Sequence, residues 1–418
     1  MENPYLAVKQ ENLRRALDII EGRKSDGTVP AKPALLHLEI TTRCNLRCLK
    51  CGHATDPPGS ARIAPRHLQY KIIETCDEYF ASAVRVHTFG YGEMFLYGKL
   101  QMLVERLKHH GCMVDGITNG VLVGEKEVDW LVEYGFDEIT FSIDGVEPAT
   151  MQRLRGVDVE PIWKTLAYIK ARKLATGKDR PRVVVNFVAQ SDNYHELPDL
   201  VRKLADKDIY FMGVNPLFAM DSPYPDAYVL LYRQFSLRNV PRPNVEAAVE
   251  EAAKLAQEAG IAFASYMDLD SIYAEVPAEL VQVAAPPQAA APAEVAIPTN
   301  GSVAAPSEKL APYYCAYPWT SMYLHADTGA RVCCFMEGSM GVVNHGDDLR
   351  KVWTEGTINE IRDAVAAGEV HRACKMCVRD GRYRHSFIDL RDVKAAVGLN
   401  PIEVAAVPEE PVTVPAAV

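Results

Sequence analysis

An α/β fold with parallel strands is the architecture this 418-residue sequence predicts, from the order of its strand and helix signals. Between residue 35 and about residue 265, a short run of β-branched and apolar residues is followed six times by a longer stretch with helical spacing. Strict alternation of strand and helix implies parallel strands joined by right-handed crossovers, hence an α/β sheet or barrel. Sites in such folds form at the carboxyl ends of the strands.

Taken in order, the strands are expected from Leu35, Val84, Met113, Asp137, Arg182 and Ile209. Helices are expected over 66–81, 97–110, 125–134, 159–175, 194–206 and 243–259. Residues 1–34 read as an N-terminal helical extension, and 35–276 as the repeating core. A Pro/Ala-rich stretch over 277–312 has no aromatic residue and cannot build a core, so it reads as a linker or long loop. Residues 313–391 form a further compact region, with a hairpin expected from Ser321 to Phe335 that turns at Asp327, Thr328 and Gly329. The remainder, 392–418, reads as a disordered tail.

The length suffices to bury a core without disulfide staples. A formal charge of −10 gives no overall basic field, which argues against nucleic acid or an anionic membrane as partner. The N-terminus lacks an apolar signal-like run, and no stretch of about 18 apolar residues occurs. The expected location is cytoplasmic.

Ten cysteines in a long chain without an export signal point to metal rather than disulfides. Eight of them fall into two groups: Cys44, Cys48 and Cys51, then Cys315, Cys333, Cys334, Cys374 and Cys377. Cys76 and Cys112 stand apart in helical or strand-edge patterns and read as core residues.

Cys44, Cys48 and Cys51 form a C-x3-C-x2-C triplet in the loop after the first strand. Three thiolates are one short of closing a zinc site or a fully ligated cube, so a [4Fe-4S] cluster here keeps one iron open to a cofactor or substrate. A structural zinc site completed by His53 is the alternative.

The triplet resembles the defining motif of the radical S-adenosylmethionine (SAM) superfamily, and the resemblance covers roughly residues 35–265. It implies a partial (βα)6 TIM-like barrel with a small C-terminal α+β cluster-binding domain. Gly90-Tyr91-Gly92-Glu93 looks like the family's Gly-Gly-Glu element, whose backbone and carboxylate receive the SAM amino group. Glycines let the chain approach a ligand closely, and an acid complements an ammonium. Thr118-Asn119-Gly120, Ser142-Ile143-Asp144-Gly145 and Arg155-Gly156 follow in the family's order. By resemblance, Ser142 and Arg155 face the SAM carboxylate, while Asn186 and Val188 face ribose and adenine. Two residues depart from the pattern: Lys50 stands where the family usually carries an aromatic near adenine, and Met94 where a proline often follows the glycine element.

In the second group, 17 residues separate Cys315 from Cys333, enough for a hairpin to return the chain beside its start. Four thiolates close either a zinc site or a [4Fe-4S] cluster, and spacing leaves that choice open. Pro318-Trp319, the hairpin, the Cys333-Cys334 doublet, Val352-Trp353 and the final Cys374 and Cys377 are similar to the SPASM module or its shortened twitch form. That resemblance implies one auxiliary [4Fe-4S] cluster on Cys315, Cys333, Cys374 and Cys377, with Cys333 preferred over Cys334.

What the resemblance implies for function is reductive cleavage of SAM to a 5'-deoxyadenosyl radical and hydrogen abstraction from a substrate. A two-electron oxidation is expected, with electrons from an external one-electron reductant such as flavodoxin or ferredoxin. A radical epimerase using a thiol donor, and a SPASM enzyme modifying a peptide or protein, are the enzymatic alternatives. An iron-sulfur electron-transfer protein and a zinc-stabilised interaction module are the non-enzymatic ones. Residues 1–34 are shorter than the leader-recognition domain of many peptide-modifying members, so a small-molecule substrate is expected.

Overall fold

A computed structural model describes residues 3–22, 32–55, 64–217, 232, 234–273, 315–336, 338–375, 377 and 393–399. Its strands are β1 (Leu35–Leu38), β2 (Arg85–His87), β3 (Met113–Thr118), β4 (Glu138–Ser142), β5 (Arg182–Ala189), β6 (Ile209–Pro216), β7 (Ala262–Ser265), β8 (Ser321–Leu324), β9 (Gly329–Arg331) and β10 (Gly341–Val342). They form one sheet in the order β10-β9-β8-β1-β2-β3-β4-β5-β6-β7. Strands β1 to β7 pair in sequence order and in parallel, as alternation with helices requires. Among the described residues the sheet does not close, and β7 and β10 are its edges.

Three features differ from the sequence expectation. A seventh parallel strand, β7, follows the helix Arg242–Glu258; its Ala-Phe-Ala-Ser sequence is short and poor in β-branched residues, so it carries little strand signal. The C-terminal hairpin continues the barrel's own sheet, because β8 pairs in parallel with β1, Leu35 opposite Ser321 and Leu38 opposite Leu324. Val393 and Val397 are buried, and Gln10 Nε2 donates to the Val397 carbonyl at 2.8 Å, so the first part of the expected tail packs on the helix Leu6–Gly22. The 277–312 stretch and residues 400–418 lie outside the described residues.

The hairpin turns where its Asp-Thr-Gly sequence directs. Thr328 takes φ +73°, the His325 amide donates to the Gly329 carbonyl at 2.9 Å, and Asp327 Oδ1 accepts from the Gly329 amide at 3.0 Å. Helices form at Leu100–His109, Glu125–Tyr134, Glu160–Thr176 and Leu197–Leu204. Their apolar stripes, with Leu103, Leu107, Leu131, Leu166 and Leu200, join Val86, Val114, Ile139 and Val183 of the strands in one core.

The alternate strand positions are polar. Tyr323, His37, His87, Asp115, Glu138 and Arg182 stand opposite one another in register across β8, β1, β2, β3, β4 and β5. A sheet with apolar residues on the helix side therefore carries a row of titratable groups on the other. No helix among the described residues is long and apolar enough to cross a membrane.

Candidate functional site

The cysteine loop leaves β1 at its carboxyl end and is tied down on both sides. The Gly92 amide donates to the Thr41 carbonyl at 3.2 Å and the Glu93 amide to the Arg43 carbonyl at 2.8 Å. A Cβ at Gly92 would lie 2.5 Å from both the Thr41 and Arg43 carbonyl oxygens, so only glycine admits this approach. On the far side, the Leu49 amide donates to the Leu154 carbonyl at 2.9 Å, and Cys48 Sγ lies 3.9 Å from the Arg155 carbonyl.

Within the loop all three thiols are half-buried. Burial pushes Cys51 up to about 11 and raises Cys44; the neighbouring Cys48 adds to the rise of both, and Cys44 to that of Cys51. Such thiols become thiolates when a metal replaces the proton. The Leu46 amide donates to Cys44 Sγ at 3.5 Å, a bond suited to a charged sulfur. The donor set of three soft sulfurs on one short loop fits a [4Fe-4S] cluster with one open iron.

Glu93 is buried, and the protein already grips it. Oε1 accepts from Thr118 Oγ1 at 2.8 Å and the Phe95 amide at 3.3 Å, while Oε2 accepts from the Asn119 amide at 2.7 Å. Desolvation raises its pKa. Its carboxylate thus bolts the end of β2 to the end of β3, and an incoming ammonium would add to bonds that already exist. Asn119 Nδ2 also reaches Asn45 Oδ1 at 2.9 Å, which brings the end of β3 to the cysteine loop.

Ser142 ends β4, and Asn186 stands opposite it in register within β5. Asn186 Oδ1 accepts from Asn215 Nδ2 of β6 at 2.6 Å. Arg155 is buried and donates through Nε to Asp144 Oδ2 at 2.6 Å; Lys50 Nζ reaches the same oxygen at 2.5 Å. The Val188 amide donates to Asp144 Oδ1 at 2.9 Å. Burial pulls the Lys50 ammonium down to about 8 although Asp144 supports it, and the two cations beside Asp144 hold its carboxyl at about 2 despite burial. Of the residues singled out for SAM, Gly90, Gly92 and Glu93 follow β2, Ser142 ends β4, Asn186 and Val188 lie within β5, and Arg155 ends the helix Pro148–Arg155.

The second cysteine group gathers elsewhere. Cys315, Cys333, Cys374 and Cys377 line one cavity, together with the apolar Pro318, Val332, Phe335, Met336 and Ile361. Burial raises Cys333 far above the usual thiol range, with further repulsion from Cys334, Cys315 and Cys377. Cys334 is exposed. Among the described residues no group of three or more His, Cys, Asp or Glu is placed to hold a lone metal ion, at either cysteine group. Four sulfurs around an apolar space suit a cube ligated at every iron.

Sequence reasoning missed the polar groups beneath this site. His87 Nδ1 and Arg85 Nε each lie 2.6 Å from Asp115, on opposite oxygens, and they hold its carboxyl well below the usual range in spite of burial. His37 Nε2 lies 2.7 Å from the Phe89 carbonyl, and desolvation keeps the imidazole neutral well below its ordinary pKa. Glu39 receives the Tyr91 amide at 3.0 Å, His325 Nδ1 at 3.2 Å and the Ala326 amide at 3.3 Å. The available signal was the Leu-His-Leu-Glu alternation from Leu36 to Glu39: a polar period of two inside a strand buried on both faces.

Residues 38–204 match the model of the "Radical SAM superfamily". The tungsten-containing aldehyde ferredoxin oxidoreductase cofactor-modifying protein of Pyrococcus furiosus is 31% identical over 192 residues, 44% of this chain and 52% of that protein. The PqqA peptide cyclase of Bradyrhizobium diazoefficiens is 26% identical over 190 residues, 46% and 48% of the two chains. The chain thus spans about half the length of these curated relatives. Among solved structures, Streptococcus suis SuiB bound to its precursor peptide SuiA superposes with a TM-score of 0.56 at 17% identity, over 87% of this chain and 72% of that one. That likeness is one of fold, and it extends past the matched domain into the C-terminal region. The matched segment runs from the end of β1 through the cysteine loop and glycine turn to the helix after β5, and over that segment the chain is similar to the radical SAM superfamily.

Proposed function

We propose that Cys44, Cys48 and Cys51 hold the [4Fe-4S] cluster with which this superfamily works, that SAM binds across the ends of β2 to β6, and that Cys315, Cys333, Cys374 and Cys377 hold a second [4Fe-4S] cluster. The observation that carries this reading is the lock between the cysteine loop and the glycine turn, closed by Gly92 and Glu93 amides on Thr41 and Arg43 carbonyls. Cluster and SAM together supply the chemistry: one-electron cleavage of the sulfonium to methionine and a 5'-deoxyadenosyl radical that takes hydrogen from a substrate. The chain supplies orientation and dryness. Gly90 and Gly92 let the backbone come close, Ser142 and Arg155 face the carboxylate, and Asn186 and Val188 line the nucleoside side.

The reaction we favour is a two-electron oxidation, with the substrate between the two cysteine sites; a cluster held by Cys315, Cys333, Cys374 and Cys377 would supply the acceptor for the second electron. A cube ligated by four thiolates has no open iron for substrate but can carry charge. The first electron comes from an external one-electron donor such as flavodoxin or ferredoxin. A small molecule is the first reading of the substrate. A peptide is the second, supported by the sequence similarity to PqqA peptide cyclases of Bradyrhizobium diazoefficiens and Gluconobacter oxydans.

Anaerobic reconstitution tests the proposal: the protein should hold about eight irons, four in each cluster. Replacing Cys44, Cys48 and Cys51 by Ala should remove half the iron and abolish 5'-deoxyadenosine release. An iron count unchanged by that triple replacement rules the cluster assignment out. Mass spectrometry against metabolite extracts and against peptide pools then separates the two substrate readings.

A further inference from the structure

Asp144 has a fully enclosed side chain, and three parts of the chain converge on it. Lys50 comes from the cysteine loop, Arg155 from the end of the helix Pro148–Arg155, and the Val188 amide from β5. Asn193 Nδ2 fixes the same turn from behind, donating to the Asp144 carbonyl at 2.9 Å and to the Val188 carbonyl at 3.0 Å. The Lys50 and Arg155 side chains are only 13% and 8% exposed.

Two cations on one carboxylate leave that trio itself at +1 in a mostly dry place, with Cys48 and Cys51 also close by, and a trio of that charge favours an anion at its free edge. Arg155 meets Asp144 through Nε alone. Its two terminal nitrogens hold no hydrogen bond among the described residues, and they are not sealed in the core either. A guanidinium tied at Nε still presents the pair of N-H groups that matches a planar carboxylate. Without Lys50 the pair Asp144 and Arg155 would be neutral, and the attraction for a second carboxylate would fall with it.

We infer that Lys50 is a positioning residue for SAM: its ammonium neutralises Asp144, so that Arg155 remains a net cation for the carboxylate of SAM. This rests on the reading that SAM binds at the ends of β2 to β6. Lys50 acts through Asp144 and has no contact with SAM of its own. The departure from an aromatic residue before the third cysteine thereby acquires an electrostatic reason, tied to an acid on β4's exit turn.

The test is the dissociation constant of SAM for the anaerobically reconstituted protein, measured by equilibrium dialysis with labelled SAM, with iron counted in every sample. Lys50→Met should weaken binding roughly tenfold or more, the scale of losing one partner of a buried charge pair. Lys50→Arg should stay within about threefold of the parent, since it keeps the charge. The decisive variant is the double replacement Lys50→Met with Asp144→Asn, which restores the +1 balance and should recover affinity to within about threefold. Parent-like affinity of Lys50→Met overturns the inference, and so does a double variant that binds as weakly as the single one, because Lys50 would then touch SAM directly. If Lys50→Met alone fails to keep its iron, the double variant still decides by the same criterion. Failure of the parent itself to bind SAM, with its iron in place, would instead refute the underlying reading of the site.

Discussion

Nδ1 of His325 lies 3.2 Å from Oε2 of Glu39, a contact across 286 positions that joins the C-terminal hairpin to the first barrel strand. Glu39 is 3% exposed and also serves the Tyr91 and Ala326 amides, so one carboxylate ties together β1, the glycine turn and the hairpin. Removing it strands three donors in a buried place. Glu39→Ala should destabilise the protein by about 2–4 kcal/mol in urea unfolding, with Glu39→Gln costing roughly half as much because the amide oxygen still accepts. Hydrogen exchange at Tyr91 and Ala326 should quicken in both. Unchanged exchange at these two amides would show that Glu39 does not hold the junction.

The doublet predicts an asymmetry. Cys333 lines the cavity with Cys315, Cys374 and Cys377, whereas Cys334 is exposed. Cys333→Ala should lower the iron content by about four atoms and Cys334→Ala should leave it intact. The reverse result, read by iron analysis of the two variants side by side, would transfer the ligand role to Cys334.

His37 sets a pH dependence whose sign follows from burial. Desolvation, aided by the neighbouring His87, keeps the folded imidazole neutral well below its ordinary pKa, while in the unfolded chain it protonates near 6.5. Below that pH the unfolded state binds the extra proton. Stability contributed here is therefore complete above about 6.5 and falls as pH drops, by about 1.4 kcal/mol per pH unit for one such group. His67 and His110 are lowered too and act in the same direction. Urea unfolding of His37→Gln between pH 7 and 5.5 should show a smaller slope, the difference growing toward about one proton at the acid end. An identical slope would mean that His37 is protonated in the folded protein.

Much of this fold was legible because each chemical demand sat close to its own sequence signal. Six strands and their helices follow from local periodicity, and the Asp327-Thr328-Gly329 turn from residues that accept unusual backbone angles. The cysteine groups were legible as groups, since ligand spacing is local. What escaped was nonlocal. Lys50 and Asp144 are 94 positions apart, and nothing in either neighbourhood says that they meet. Pairing of β8 with β1 was hidden for the same reason: a parallel partner is chosen by the whole sheet, and Ser321–Leu324 alone reads equally well as half of an isolated hairpin. The polar row from Tyr323 to Arg182 needed the strand register, which places six single residues from six segments side by side.

Gly92 provides the last prediction, because it separates packing from charge. Its amide and that of Glu93 bond to carbonyls on either side of Thr42, and an added methyl would stand 2.5 Å from both acceptors and 2.9 Å from the Arg43 nitrogen. These are backbone atoms, which cannot swing aside as a side chain can, so the turn must lift away from the cysteine loop. Gly98, by contrast, has nothing within 4 Å of the same methyl position. Gly92→Ala should therefore lower stability by about 1–3 kcal/mol, as overpacking does, and should weaken SAM binding as the loop shifts. Gly98→Ala should stay within about 0.5 kcal/mol and bind SAM normally. Iron analysis, urea unfolding and SAM dialysis on the two variants read these effects independently. If Gly92→Ala kept parent-like stability and SAM affinity, the close approach of the glycine turn to the cysteine loop would not be what builds the site.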